Sequence, residues 1–176
     1  MRTIIIIGTL HEGLTPVDEL QEILEDIHPD QLLVEITKED LQDERFGKYP
    51  KEMVYAHKWA KKNNIQVNGF DSPIDVMKHN ITKEDEKHAV SEIYKLLKDH
   101  TWKDMNKKEY QDIESRLIEE LVDPLKHKKR QQEMLQNIKR SMLSQGKILI
   151  LTGAGHLEFF EEHLPEATFP FRGNNI

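Results

Sequence analysis

The sequence predicts an α/β protein: a mainly parallel central sheet of four to five strands flanked by helices, with a helical insertion before the last core strand. Three observations carry this. Short β-branched and apolar runs at Ile4 to Ile7, Leu32 to Ile36 and Ile148 to Leu151 have the pattern of strands buried on both faces, as in parallel sheets. A stretch of helical period separates the first run from the second. From Ser72 to Gln145 the helical period continues with no strand signal. A length of 176 residues suits one domain carrying that insertion, over about residues 82 to 145.

The elements follow in order. Thr3 to Gly8 reads as a mid-sheet strand. Thr15 is placed to cap a helix, with Pro16 at its first position, Asp18 as a capping-box variant, and an apolar stripe of Val17, Leu20, Ile23, Leu24 and Ile27. His28-Pro29-Asp30 ends it, and Leu32 to Ile36 is the second strand. Thr37 to Tyr49 mixes charge with Gly47 and reads as an exposed loop. Met53, Ala56 and Ala60 then predict a helix ending near Asn63-Asn64, and Ile65 to Phe70 a third strand.

In the insertion, Thr82 with Asp85 opens a helix carrying Ala89, Val90, Ile93, Leu96 and Leu97. A second helix carries Tyr110, Ile113, Leu117, Leu121 and Val122 as far as Pro124. A third carries Met134, Leu135, Ile138 and Met142, with Gly146 expected just past its end. Lys147 to Thr152 is the fourth strand, followed by Gly153-Ala154-Gly155-His156 and a short helix through His163. The tail, Phe169 to Asn175, is expected to add an edge strand.

Composition narrows the function classes. Hydrophobic residues are 37% and charged residues 32%, enough for one core under a highly charged shell. The longest purely aliphatic run is Ile4 to Ile7, so neither a membrane span nor a signal-peptide core is expected. The absence of cysteine removes disulfides and thiolate chemistry, fits a cytoplasmic protein, and leaves His, Asp and Glu as the only strong metal donors. A net charge of -7 argues against a nucleic-acid partner.

Each predicted strand delivers a possible metal ligand at or just past its carboxyl end: His11, Glu35, Asp71 and His156 in turn. Sites in open α/β sheets form at that edge, where neighbouring loops converge. Glu35 is the most informative, because a carboxylate inside an apolar strand costs roughly 2 kcal/mol or more unless a cation or hydrogen bonds offset it. Plainer roles exist for each residue. His11 can be a surface or capping histidine, Glu35 half of an ion pair with Arg or Lys, and Asp71 a turn-former in Phe70-Asp71-Ser72-Pro73. The remaining histidines, His28, His57, His79, His88, His100, His127 and His163, fall in helices or at helix ends and read as solvated. So does the run Lys126 to Arg130. Phe159 and Phe160 read as core. Gly153-Ala154-Gly155 is a weak phosphate motif, with Glu158 where the third glycine would stand. No P-loop and no Gly-x-Ser-x-Gly elbow occurs.

Gly8-Thr9-Leu10-His11 resembles the first Gly-x-x-His motif of the TraB/PrgY and TIKI superfamily. Pro29-Asp30-Gln31-Leu32-Leu33-Val34-Glu35 resembles its proline, aspartate, apolar strand and glutamate segment. Gly153-Ala154-Gly155-His156 resembles its second glycine-histidine motif, and Arg130 with Met134 its arginine-containing helix. The likeness covers the first 36 residues and roughly the last 50, with the helical middle as a variable insertion. It implies an α/β fold with both histidines and the glutamate facing one site, and a divalent-cation-dependent protease chemistry.

A metal-dependent hydrolase of peptide or small-molecule amide or ester bonds is the resulting expectation. His11, Glu35 and His156 would hold a divalent ion (manganese, cobalt, zinc or iron), with Asp71 a further ligand or an acceptor that orients a ligating histidine. Glu12 is then a candidate general base, and Arg130 a group to hold a substrate carboxylate or an oxyanion. The alternative is a module on the same fold that binds a peptide, haem or other small ligand without turnover. Residues 82 to 145 carry enough apolar positions to support a homodimer.

Overall fold

A computed structural model of the chain describes residues 1–173, except for the side chains of residues 112–114, 117 and 118. Strands β1 (Arg2–Thr9), β2 (Gln31–Thr37), β3 (Gln66–Asp71) and β4 (Gly146–Gly153) form one parallel sheet in the order β1-β4-β2-β3. The α/β class and the parallel sheet are as the apolar runs predict, but β1, expected in mid-sheet, is an edge strand paired in the sheet with β4, its other flank being covered by later segments of the chain. Ile6, Ile7, Leu32, Leu33, Val34, Ile148, Leu149, Ile150 and Leu151 are all buried, because helices cover the sheet.

Helices α1 (Val17–Ile27) and α3 (Lys51–Lys62) pack on each other, and α3 also packs on β2 and β3. A short α2 (Lys38–Gln42) lies against β3. The insertion supplies α4 (Lys83–Leu97), α5 (Lys108–Leu121) and α6 (Pro124–Ser141). Thr82 and Asp85 form the expected capping box of α4. Helix α6 packs on β3 and touches α7 (Leu157–His163), which packs on β1. Among the described residues the insertion contains only one isolated bridge, Met77 with Val122. The side chains of Ile113 and Leu117, expected on the apolar stripe of α5, and residues 174–176 of the tail lie outside the described residues.

Several local expectations are corrected. Thr15 does not cap α1. Its hydroxyl accepts from the Leu10 N–H at 2.8 Å and donates to the Leu10 carbonyl at 2.9 Å, closing the loop after β1, and Pro16 precedes the helix without a side-chain cap. Gly146 is not the residue after α6 but the first of β4. It takes φ 96°, where a Cβ would stand 2.8 Å from Asp30 Oδ2. The segment from Thr37 to Tyr49 is not a simple exposed loop. Buried Asp40 accepts from Tyr49, Arg45 and Lys48, and Thr37 caps α2. Among the described residues the tail from Phe169 forms no strand; just before it, Thr168 makes a single parallel bridge opposite Ile5.

Candidate functional site

Because all four strands are parallel, their carboxyl ends share one edge. β1 and β4 run in register to Thr9 opposite Gly153, whereas β2 leaves β4 at Val34 opposite Leu151. Against β3 the register of β2 shifts between Val34 and Thr37, so Glu35 sits within an irregularity of the ladder. Gly69 accommodates this. A Cβ there would stand 2.4 Å from the Ile36 carbonyl oxygen and 3.0 Å from that of Thr37, so only glycine lets β3 lie against the displaced backbone.

Glu35 is 6% exposed and every oxygen has a partner. Oε2 accepts from the Thr152 hydroxyl and the Gly153 N–H, both at 2.7 Å. Oε1 accepts from the Arg130 guanidinium at 3.0 Å and lies 3.4 Å from His156 Nε2. Arg130 reaches the pocket from α6 and also donates through Nε to Asp71 Oδ1 at 2.9 Å. The ion-pair reading of Glu35 is therefore realised, with Arg130 as the partner and a second carboxylate sharing it. Burial works to raise the Glu35 pKa, but His156, Arg130 and His11 together hold the carboxyl well below its ordinary range. Asp71 moves the other way. Burial pushes it up, Arg130 only partly offsets this, and the Glu35 charge adds to the rise.

His156 is 6% exposed, with its Nδ1 3.2 Å from the Gln131 amide nitrogen. His127 stacks on it, ring centroids 5.5 Å apart and 18° from parallel. His127 and His57 are thus not solvated: His57 is 5% exposed, and His127 is half-buried with its Nδ1 sealed from solvent. Within the run Lys126 to Arg130, Lys128 and Lys129 face solvent while His127 and Arg130 turn inward.

Burial, then His156 and Arg130, depress the His127 pKa from 6.5 to about 4. Between those values the unfolded chain binds a proton that the folded chain refuses, so stability falls as pH drops below 6.5. Replacing His127→Gln removes this titration. Chemical denaturation at pH 7 and pH 5 should show the variant losing about 1 kcal/mol less than the parent chain, after discounting for partial exposure. Equal losses would place His127 at an ordinary pKa.

His11 follows β1 with its side chain 41% exposed and its Nδ1 2.7 Å from Oε1 of Glu52, a carboxylate whose side chain is 1% exposed. Thr9 Oγ1 lies 3.3 Å from the same oxygen. Glu52 Oε2 is buried and has no hydrogen-bond partner among the described residues. The far side of the imidazole faces Gly153, where a Cβ would stand 3.2 Å from His11 Nε2 and 3.6 Å from Glu35 Oε2. The structure thus brings His11, Glu35, Asp71, His156 and Arg130 to one edge. Glu12 stands exposed at φ 58° in the turn beyond His11.

His11, Glu35 and His156 are the donor types a divalent ion takes, yet as arranged they do not fit one. Both Glu35 oxygens are engaged, and a guanidinium 3.0 Å from Oε1 repels a second cation. Among the described residues no group of three or more His, Asp or Glu is placed to hold a metal. No family model, curated protein or solved structure matches this chain.

Two residues of the site escape the sequence reading. Glu52 shares a helix face with Ala56 and Ala60, at i, i+4 and i+8, so a carboxylate on the apolar side of α3 was the available signal. Gln131 has none, because its role depends on α6 lying beside the turn after β4.

Proposed function

We propose that the chain hydrolyses peptide or small-molecule amide or ester bonds, with His11 as general base on a water molecule. The observation that carries this is the 2.7 Å pairing of His11 Nδ1 with a buried carboxylate, Glu52, at the carboxyl edge of the sheet. A carboxylate so placed accepts the Nδ1 proton and fixes the tautomer whose Nε2 is basic. Nε2 takes a proton from water as the water oxygen bonds to the substrate carbonyl carbon. The proton then passes to the departing amine or alcohol as the scissile bond breaks. Glu52, at 2.7 Å from Nδ1, stabilises the transient imidazolium. Its Oε2, buried without a partner, is the kind of uncompensated polar atom that functional sites retain.

Arg130 serves this site by fixing Glu35 and Asp71, and the 19% of its side chain that is accessible is what it can offer to a substrate carboxylate or an oxyanion. A cytoplasmic setting and a homodimer through the helical stretch belong to the same proposal. Within the described residues no helix is long and apolar enough to cross a membrane.

The test is a hydrolysis screen of peptides, esters and phosphoesters on the purified chain, run as isolated, with chelator, and with added manganese, cobalt, zinc or iron. Turnover that survives chelation and disappears in His11→Asn is the expected result. Turnover lost on chelation and restored by one of those ions replaces it with a metal-dependent reading through His11, Glu35 and His156. Stoichiometric ligand binding with no turnover under any condition supports the binding module and rejects the enzyme.

A further inference from the structure

Only one side of β1 is paired in the sheet, with β4. Its other side is completed by pieces from distant parts of the chain. Near its start, the Thr168 N–H donates to the Ile4 carbonyl at 2.8 Å, and the Ile6 N–H donates to the Thr168 carbonyl at 2.9 Å. At Gly8 the partner is a side chain. The Gly8 N–H donates to Asn106 Oδ1 at 2.8 Å, and Asn106 Nδ2 donates to the Gly8 carbonyl at 2.9 Å. The amide thus reproduces the two-bond exchange of a neighbouring strand residue. Asn106 is 2% exposed, and its own carbonyl accepts from buried Arg172 at 3.2 Å.

We infer that Asn106 is a positioning residue for His11, an inference that rests on the hydrolase reading above. Gly8 stands three residues before His11, and what lies between them is tied down residue by residue. Thr9 bonds Glu52, and Leu10 is held at both its N–H and its carbonyl by Thr15. Gly8 also packs against the turn that carries His156, since a Cβ on it would come within 2.8 Å of Ala154 Cα and of Leu157 Cδ1. The Asn106 amide therefore fixes the strand end from which one histidine is aimed and against which the other histidine's turn is packed. It does so from the helical insertion. Without it, two buried backbone groups lose their partners, and the chain can regain them only by moving Gly8 towards water.

The experiment reads the imidazole and not product. Nitrogen-15 and proton NMR of histidine-labelled protein at pH 7 should give His11 as the Nδ1-protonated tautomer, with an exchange-protected Nδ1 proton. In Asn106→Ala that proton should exchange into the solvent signal and the tautomer preference should be lost, while the resonance of His28, at the end of α1 beside the amino ends of the strands, stays in place. Asn106→Asp keeps size and acceptor but removes the donor. It should weaken the His11 signal at pH 7 as Asn106→Ala does, because the carboxylate cannot donate to the Gly8 carbonyl; this variant decides the matter if Asn106→Ala does not fold. Where turnover is found, either variant at pH 7 should lower kcat by up to about a hundredfold with KM little changed. A His11 signal unchanged in a folded variant overturns the inference and leaves Asn106 as a purely structural clamp. Failure of the hydrolase reading appears separately, as absence of turnover beside an intact Asn106 effect on His11.

Discussion

Replacing Arg130→Met should lower the stability of the chain at pH 7 by about 3 to 5 kcal/mol, which for a protein of this size lowers Tm by about 10 °C. The substitution keeps the apolar stem and removes the guanidinium that both Glu35 and Asp71 contact, leaving a buried and a largely buried carboxylate without their shared cation. The penalty should depend on pH with a definite sign. Without Arg130 the Asp71 carboxyl, already raised by burial, rises further, and Glu35 loses one of the groups that hold it down while His156 remains. The folded variant then binds more protons than the folded parent as pH falls, and part of the deficit is recovered near pH 5. Glu35→Gln should be milder, because Arg130 then keeps Asp71 and the amide can still accept from Thr152 and Gly153. Urea denaturation of the three proteins at pH 7 and pH 5 checks this. An Arg130→Met chain as stable as the parent would mean that the carboxylates take up their protons at no cost and that the ion pair carries no stabilising role.

Gly69→Ala is expected to destabilise by about 3 kcal/mol, a large effect for one added methyl group, because the obstacle is backbone. The Ile36 carbonyl oxygen, 2.4 Å from the new Cβ, belongs to the irregular stretch of β2, and neither strand can move away without breaking the β2–β3 ladder. The effect should reach the site as well as the fold. Relieving the clash pushes back the stretch that aims Glu35, so the Glu35–Arg130 contact should loosen along with the melting point. Thermal melts together with hydrogen exchange at the Gly153 amide, which donates to Glu35, measure both. A normal Tm with unchanged protection at Gly153 would show that the strand pair tolerates a side chain there.

What could be read from the residues follows from how local each signal is. The Ile4–Ile7 and Ile148–Leu151 runs announce buried strands unaided, and Thr82 with Asp85 marks a helix start within four residues. Glu35 declared itself as a charge in an apolar strand, which called for compensation without naming the partner. Within its basic run Arg130 is singled out only by the family resemblance, since residue type and spacing do not separate it from Lys128 and Lys129 and the packing of α6 on β3 does. Thr15 has the sequence position of a helix cap yet serves the loop behind it, because a hydroxyl bonds whichever backbone group the chain folds nearest. Asn106 left no trace in the sequence: its partner is 98 residues away and its geometry exists only after the sheet has formed.

The closed flank of β1 has a consequence for the life of the chain before and after folding. Thr3 to Gly8 is a short, uncharged, β-branched segment, the kind that recruits copies of itself when its backbone is bare. Most sheets blunt such an edge with lysine or proline. Here the blunting groups come from segments more than 95 residues away, a Thr168 backbone and an Asn106 amide, so the strand is unguarded until both have been made. Its solubility during synthesis therefore depends on how soon these segments reach β1, and any cut that frees Thr168 restores a sticky edge to an otherwise folded protein.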